Sequence, residues 1–86
     1  MVTKADNSRG QVFFVDDEPG VCAAVKETLE ESNIKVCCFV HPAESLAQLR
    51  RGRCDLLITD LKMAEKNGIE LLKEARELAP WVPVLI

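Results

Sequence analysis

No apolar run in this 86-residue chain approaches the roughly 18 residues of a membrane span, and the opening MVTKADNSRG has no apolar stretch of signal-peptide type. A membrane helix and a secretory leader are both excluded from the reading, which places the protein in the cytoplasm. There is no internal repeat, low-complexity tract or linker, so one small domain is expected. Basic residues are the minority, 11 Lys and Arg against 14 Asp and Glu with a net charge of -3. A phosphate-binding face for nucleic acid is therefore not expected. The one basic concentration, LRRGR from Leu49 to Arg53, reads as a solvated helix end, where cations are favoured. The four cysteines show no C-x-x-C spacing, and adjacent Cys37 and Cys38 point to opposite faces if they lie on a strand. Disulfide and metal roles are set aside for Cys22, Cys37, Cys38 and Cys54, which read as small buried hydrophobes with free thiols.

What is present is ordinary globular composition, with 48% apolar and 29% charged residues. A chain this short buries only about 60 to 65% of the surface its unfolded form exposes, so the core is small. The hydrophobic period alternates between strand-like and helix-like. QVFFV, NIKVCCFV, CDLLIT and VPVLI read as strands, the first and third being the continuous apolar runs of parallel strands buried on both faces. Between them, Pro19 to Ser32 repeats Val21, Val25 and Leu29 every fourth residue as an amphipathic helix. HPAESLAQLRRG opens a second helix at Pro42, with Leu46 and Leu49 on one face and Gly52 as a stop. IELLKEARELAP makes a third through Leu71, Leu72, Ala75 and Leu78. The order β-α-β-α-β-α-β predicts an α/β fold, a doubly wound parallel sheet with helices on both faces.

Two of the apolar strands run into acids: VFFVDDEPG at Asp16 and Asp17, and LLITD at Asp60. In a doubly wound sheet, ligands bind beyond the carboxyl ends of the strands. If the first and third strands are neighbours, the three carboxylates converge, and their mutual repulsion is relieved by a cation. Hard oxygen donors in small number suit Mg²⁺, which keeps several waters. A carboxylate beside such an ion can attack a phosphoryl group and form an acyl phosphate. Each acid alone could be a helix-start or loop residue. The pairing of both clusters with strand ends favours the joint metal site.

VFFVDDEPGV and DLLITDLKMAEKNGIELL closely resemble the receiver domain of two-component response regulators. That resemblance implies a flavodoxin-like sheet of order 2-1-3-4 over residues 11–86, preceded by an extension over 1–10. It implies that Asp60 takes a phosphoryl group from a sensor histidine kinase or phosphotransfer protein. Asp16 and Asp17 would hold Mg²⁺ with Asp60, the Lys62 backbone carbonyl would complete the metal shell, and Gly68 is the loop glycine before the third helix. The module would not be an enzyme beyond its own phosphorylation and dephosphorylation.

Ala64 stands where the family usually has proline and Lys66 where methionine is common, which loosens the loop beside the acceptor. The sequence stops within the expected fourth strand, whereas the family continues through a hydroxyl residue, a further helix, a strand carrying lysine and a last helix. The expectation is a C-terminally truncated receiver whose bare strand edge recruits a second copy as a homo-oligomer or strand-swapped dimer. A pseudo-receiver that binds without productive phosphorylation is the alternative. A haloacid-dehalogenase-type phosphatase is disfavoured, because neither Asp16 nor Asp60 sits in D-x-D. His41 reads as a cap or solvated side chain, Trp81 as a cover for the bottom of the core, and Val84 to Ile86 as buried in a completed fold.

Overall fold

The computed structural model describes residues 10–86; the expected extension, but for Gly10, lies outside the described residues. Seven elements follow in order: β1 (Gln11–Val15), α1 (Pro19–Glu30), β2 (Lys35–Phe39), α2 (Pro42–Leu49), β3 (Leu56–Thr59), α3 (Gly68–Leu78) and β4 (Val84–Leu85). The strands form one parallel sheet in the order β2-β1-β3-β4. This is the expected doubly wound arrangement. β1 is central because its residues are the most continuously apolar, with Val12 through Val15 all buried.

The helices divide the core in two. On the face covered by α2 and α3, Phe13, Val15, Leu49, Leu57, Leu71 and Ala75 pack into the larger cluster. On the α1 face, Val12, Phe14, Cys22 and Val36 form a smaller one, with Val25 and Leu29 packed partly against it. Alternation along β1 sends Phe13 and Val15 one way and Val12 and Phe14 the other. Phe13 meets Phe39 edge to face with ring centroids 5.1 Å apart, which ties β1 to β2.

Start and stop residues explain the helix bounds. Pro19 and Pro42 open α1 and α2, where a missing N–H costs nothing. α3 begins with a capping box in which Asn67 and Glu70 each accept the other's backbone N–H. After α2 the chain turns through Gly52 at φ 76°, a left-handed conformation that favours glycine.

Two expectations need correction. The buried stripe of α1 is centred on Cys22, while Val21 is 38% exposed and Val25 and Leu29 are half-buried. Cys22, Val25 and Leu29 pack against the Val12, Phe14 and Val36 cluster, and Val21 lies off that face. Trp81 is 66% exposed, because the turn after α3 is sealed by the smaller Ala79 and Val82 instead. Leu85 and Ile86 are exposed and Val84 is half-buried, since β4 pairs with β3 alone at the sheet edge; their burial is an expectation for a completed fold. All four cysteines carry free thiols, Cys22 and Cys54 buried as expected and Cys37 and Cys38 half-buried.

Candidate functional site

The register of β1 against β3 pairs Val15 with Thr59, so the residues that follow emerge side by side. The ladder continues one step further, because the Asp60 N–H donates to the Val15 carbonyl at 3.0 Å. The Asp16 N–H donates to the Phe39 carbonyl at 3.0 Å on the other side. Asp16 and Asp60 are thus held by sheet geometry at the carboxyl ends of adjacent strands, the position where this architecture binds ligands.

Each carboxylate is oriented by backbone N–H groups of the loops. Asp16 is buried, and its Oδ1 accepts from the Glu18 N–H at 3.0 Å, a bond that turns the chain toward α1. Asp17 Oδ2 accepts from the Ala64 N–H at 2.9 Å, linking the loop after β1 to the loop after β3 across 47 positions of sequence. Asp60 is exposed, and its Oδ1 accepts from the Leu61 N–H at 2.9 Å. Among the described residues, nothing donates to its second oxygen. Lys62 is exposed two residues on, and among the described residues its carbonyl accepts no hydrogen bond.

Gly68 has a steric duty. Its N–H donates to the Leu61 carbonyl at 2.7 Å, and a Cβ there would lie 2.6 Å from the Asp60 carbonyl oxygen. Only glycine lets the start of α3 approach the acceptor loop this closely. Thr59, buried beneath, donates to the Asp60 carbonyl at 3.0 Å and steadies the same peptide.

Cys22 plugs the floor below Asp16, its thiol 3.5 Å from the Asp16 carbonyl. Burial pushes that thiol up from its ordinary 9.0 to about 11, with Cys38 and Asp16 adding to the shift. It is therefore neutral near pH 7 and acts as apolar filling. His41 lies at the start of α2 without capping it, and its Nδ1 sits 3.1 Å from Glu65 Oε2 at the surface.

Among the described residues, the ion pairs are Lys26–Glu30, His41–Glu65 and Lys66–Glu74, and none involves Asp16, Asp17 or Asp60. Nor do three acidic, histidine or cysteine side chains of the described residues form a ready-made metal cage. Asp17 and Asp60 are instead tied to loop amides. The donor chemistry still fits Mg²⁺, which binds through one or two carboxylates and retains waters rather than requiring an all-protein cage. The uncompensated charge at one strand end is the feature that asks for a cation. The amides of Glu18 and Leu61 that position these acids leave no mark in a sequence, because every residue but proline carries an N–H, whereas the Ala64 amide is available because alanine stands where the family usually has proline. Only the side-chain half of the site is readable there.

Residues 12–86 match the response regulator receiver domain family over nearly the whole chain. The chain belongs to that family. This receiver domain is 32% identical over 82 residues to the alginate biosynthesis transcriptional regulatory protein AlgB of Pseudomonas putida. The alignment takes in 95% of this chain and 18% of that protein, so the chain spans less than a fifth of the curated relative it matches. Among solved structures it is similar to the receiver domain from the hybrid histidine kinase CckA, with a TM-score of 0.80, 32% identity, and coverage of 87% of this chain and 71% of that one. It also resembles the response regulator protein TrrA from Thermotoga maritima, solved in complex with Mg²⁺ and BeF, with a TM-score of 0.81, 28% identity, and coverage of 87% and 65%. The receiver domain is a signalling module of two-component systems. No helix among its described residues is long and apolar enough to cross a membrane.

Proposed function

We propose that this receiver domain is a phosphoacceptor, with Asp60 as the residue modified and Asp16, Asp17, Asp60 and the Lys62 carbonyl as the donors for Mg²⁺. The observation that carries this reading is an exposed Asp60 fixed beside Asp16 at neighbouring strand ends, with no cationic side chain of the described residues paired to either. Bound Mg²⁺ supplies charge neutralisation between the carboxylate and the incoming phosphoryl oxygens.

The chain's own contribution is positional. The Leu61 N–H holds one Asp60 oxygen, leaving the other to attack phosphorus. A new O–P bond forms as the bond from phosphorus to the donor breaks, its electron pair leaving on the donor, which is a histidine ring nitrogen of a sensor kinase or phosphotransfer protein. The neutral Cys22 and the buried Thr59 keep the floor dry beneath the acids. Apart from its own phosphorylation and dephosphorylation, no catalytic turnover is assigned to the chain. The cytoplasm, where such donors are found, is the compartment consistent with this role. The exposed β4 edge with Leu85 and Ile86 supports pairing with a second copy; sedimentation as a lone monomer at high concentration would rule that part out.

Incubation with acetyl phosphate and Mg²⁺ tests the reading. One phosphoryl group is expected on the intact chain by mass spectrometry, and none on Asp60→Asn. Equal labelling of the two proteins would overturn the assignment.

A further inference from the structure

A cavity of about 460 Å³ runs along the β2 edge beside the end of α2, from Gln11 at the start of β1 to Phe39 at the carboxyl end of β2. Its floor is apolar, made by Phe13, Phe39 and the Cys37 thiol, and its rim carries Arg51 and Arg53 with the amides of Gln11 and Gln48. A mostly apolar concavity with a few convergent polar groups in the range of about 300 to 1,000 Å³ is the usual form of a small-molecule site.

The chain builds this rim deliberately. The left-handed turn at Gly52 places Arg51 and Arg53 on either side of the bend, both toward the cavity. Arginines at a helix end are ordinarily accounted for by the last-turn carbonyls. Here the Leu46, Gln48 and Leu49 carbonyls already accept from the backbone N–H groups of Arg50, Arg51 and Gly52 at 3.3, 3.0 and 3.1 Å. Among the described residues, neither guanidinium has an acidic partner. The nearby Asp55 carboxylate is engaged by the Gln11 N–H at 2.8 Å, and the Gln11 side chain donates to Cys37 Sγ at 3.2 Å.

We infer that this cavity binds a small ring-bearing organic acid, its ring over the Phe13–Phe39 floor and its carboxylate on Arg51 and Arg53. A guanidinium pairs with a carboxylate through two parallel hydrogen bonds, so two of them at one rim select an anion over a neutral ring. The site is separate from Asp60, and its test does not depend on phosphorylation.

Titration of the ¹⁵N-labelled chain with 2-naphthoate, followed by amide shifts, reads the site directly. Saturable shifts are expected at Phe39, Gln48, Arg51 and Arg53 and not at Asp60 or Lys62. The doubly substituted Arg51→Gln, Arg53→Gln protein, whose changes are at exposed positions, should retain the parent spectrum elsewhere and bind about tenfold more weakly. The neutral 2-naphthylmethanol should bind the parent more weakly by a similar factor. Absence of saturable shifts, shifts centred elsewhere, or equal binding by the double variant or the alcohol would each overturn the inference.

Discussion

At the carboxyl end of the sheet, Asp16, Asp17 and Asp60 stand without cationic partners among the described residues, while at the amino end Arg51 and Arg53 flank the start of β1 without acidic ones. A net charge of -3 describes neither end. Parallel strands put all carboxyl ends on one side, so residues that follow strands collect there and residues that precede them collect at the other. The two ends also differ in how they are held. The acids are fixed by amides of Glu18, Leu61 and Ala64, whereas the arginines flank one glycine turn and, among the described residues, form no ion pair. Positions set by backbone suit chemistry at a defined point, and free guanidinium groups suit capture of a ligand from solution.

The largest separation between the ends is expected from Asp60→Asn, which should abolish phosphorylation by acetyl phosphate and leave naphthoate binding unchanged; loss of both would show that the ends are coupled. Leu57→Ala acts on neither end alone. It removes a fully buried side chain from the central packing and should cost about 2 to 5 kcal/mol in urea unfolding, weakening both sites only through unfolding. Gly68→Ala is local to the acid end. Its new methyl meets the Asp60 carbonyl, so a loss of about 1 to 3 kcal/mol and slower phosphorylation should appear together.

Asn67→Ala removes the cap of α3 and should cost about 1 kcal/mol, with the arginine end unaffected. The last prediction concerns Cys22 and appears only at high pH. Its folded thiol titrates near 11 and its unfolded thiol near 9.0, so the folded state binds the proton more tightly between those values. The stabilisation is present below pH 9.0 and is lost as pH rises toward 11. Denaturation midpoints measured across that range should fall less steeply in Cys22→Ala.

Much of this was legible in the sequence, because the strands are short apolar runs and each acid cluster directly follows one. VFFVDD and LLITD announce both the sheet and its switch point, and the observed strand order brings them together as expected. The α1 stripe runs through Cys22, Val25 and Leu29 rather than Val21, because residues three and seven positions after the thiol share its face of the helix. Trp81 was misread because size argues for burial, while the turn after α3 had already been closed by Ala79 and Val82. The cavity at the arginine end depends on loop geometry, which side-chain identity does not encode, and the Ala64 amide on the absence of proline there, whose bond to Asp17 the sequence does not show.

Paramagnetic broadening by Mn²⁺, a hard cation that takes the same oxygen donors as Mg²⁺, compares the two ends in one spectrum. We expect amide signals of Asp16, Asp17, Asp60 and Lys62 to vanish first, be restored by excess Mg²⁺, and leave Gln11, Arg51 and Arg53 sharp. Broadening that spares the acid end, or that Mg²⁺ does not reverse, would contradict the assignment of a cation-assisted phosphoacceptor at Asp60.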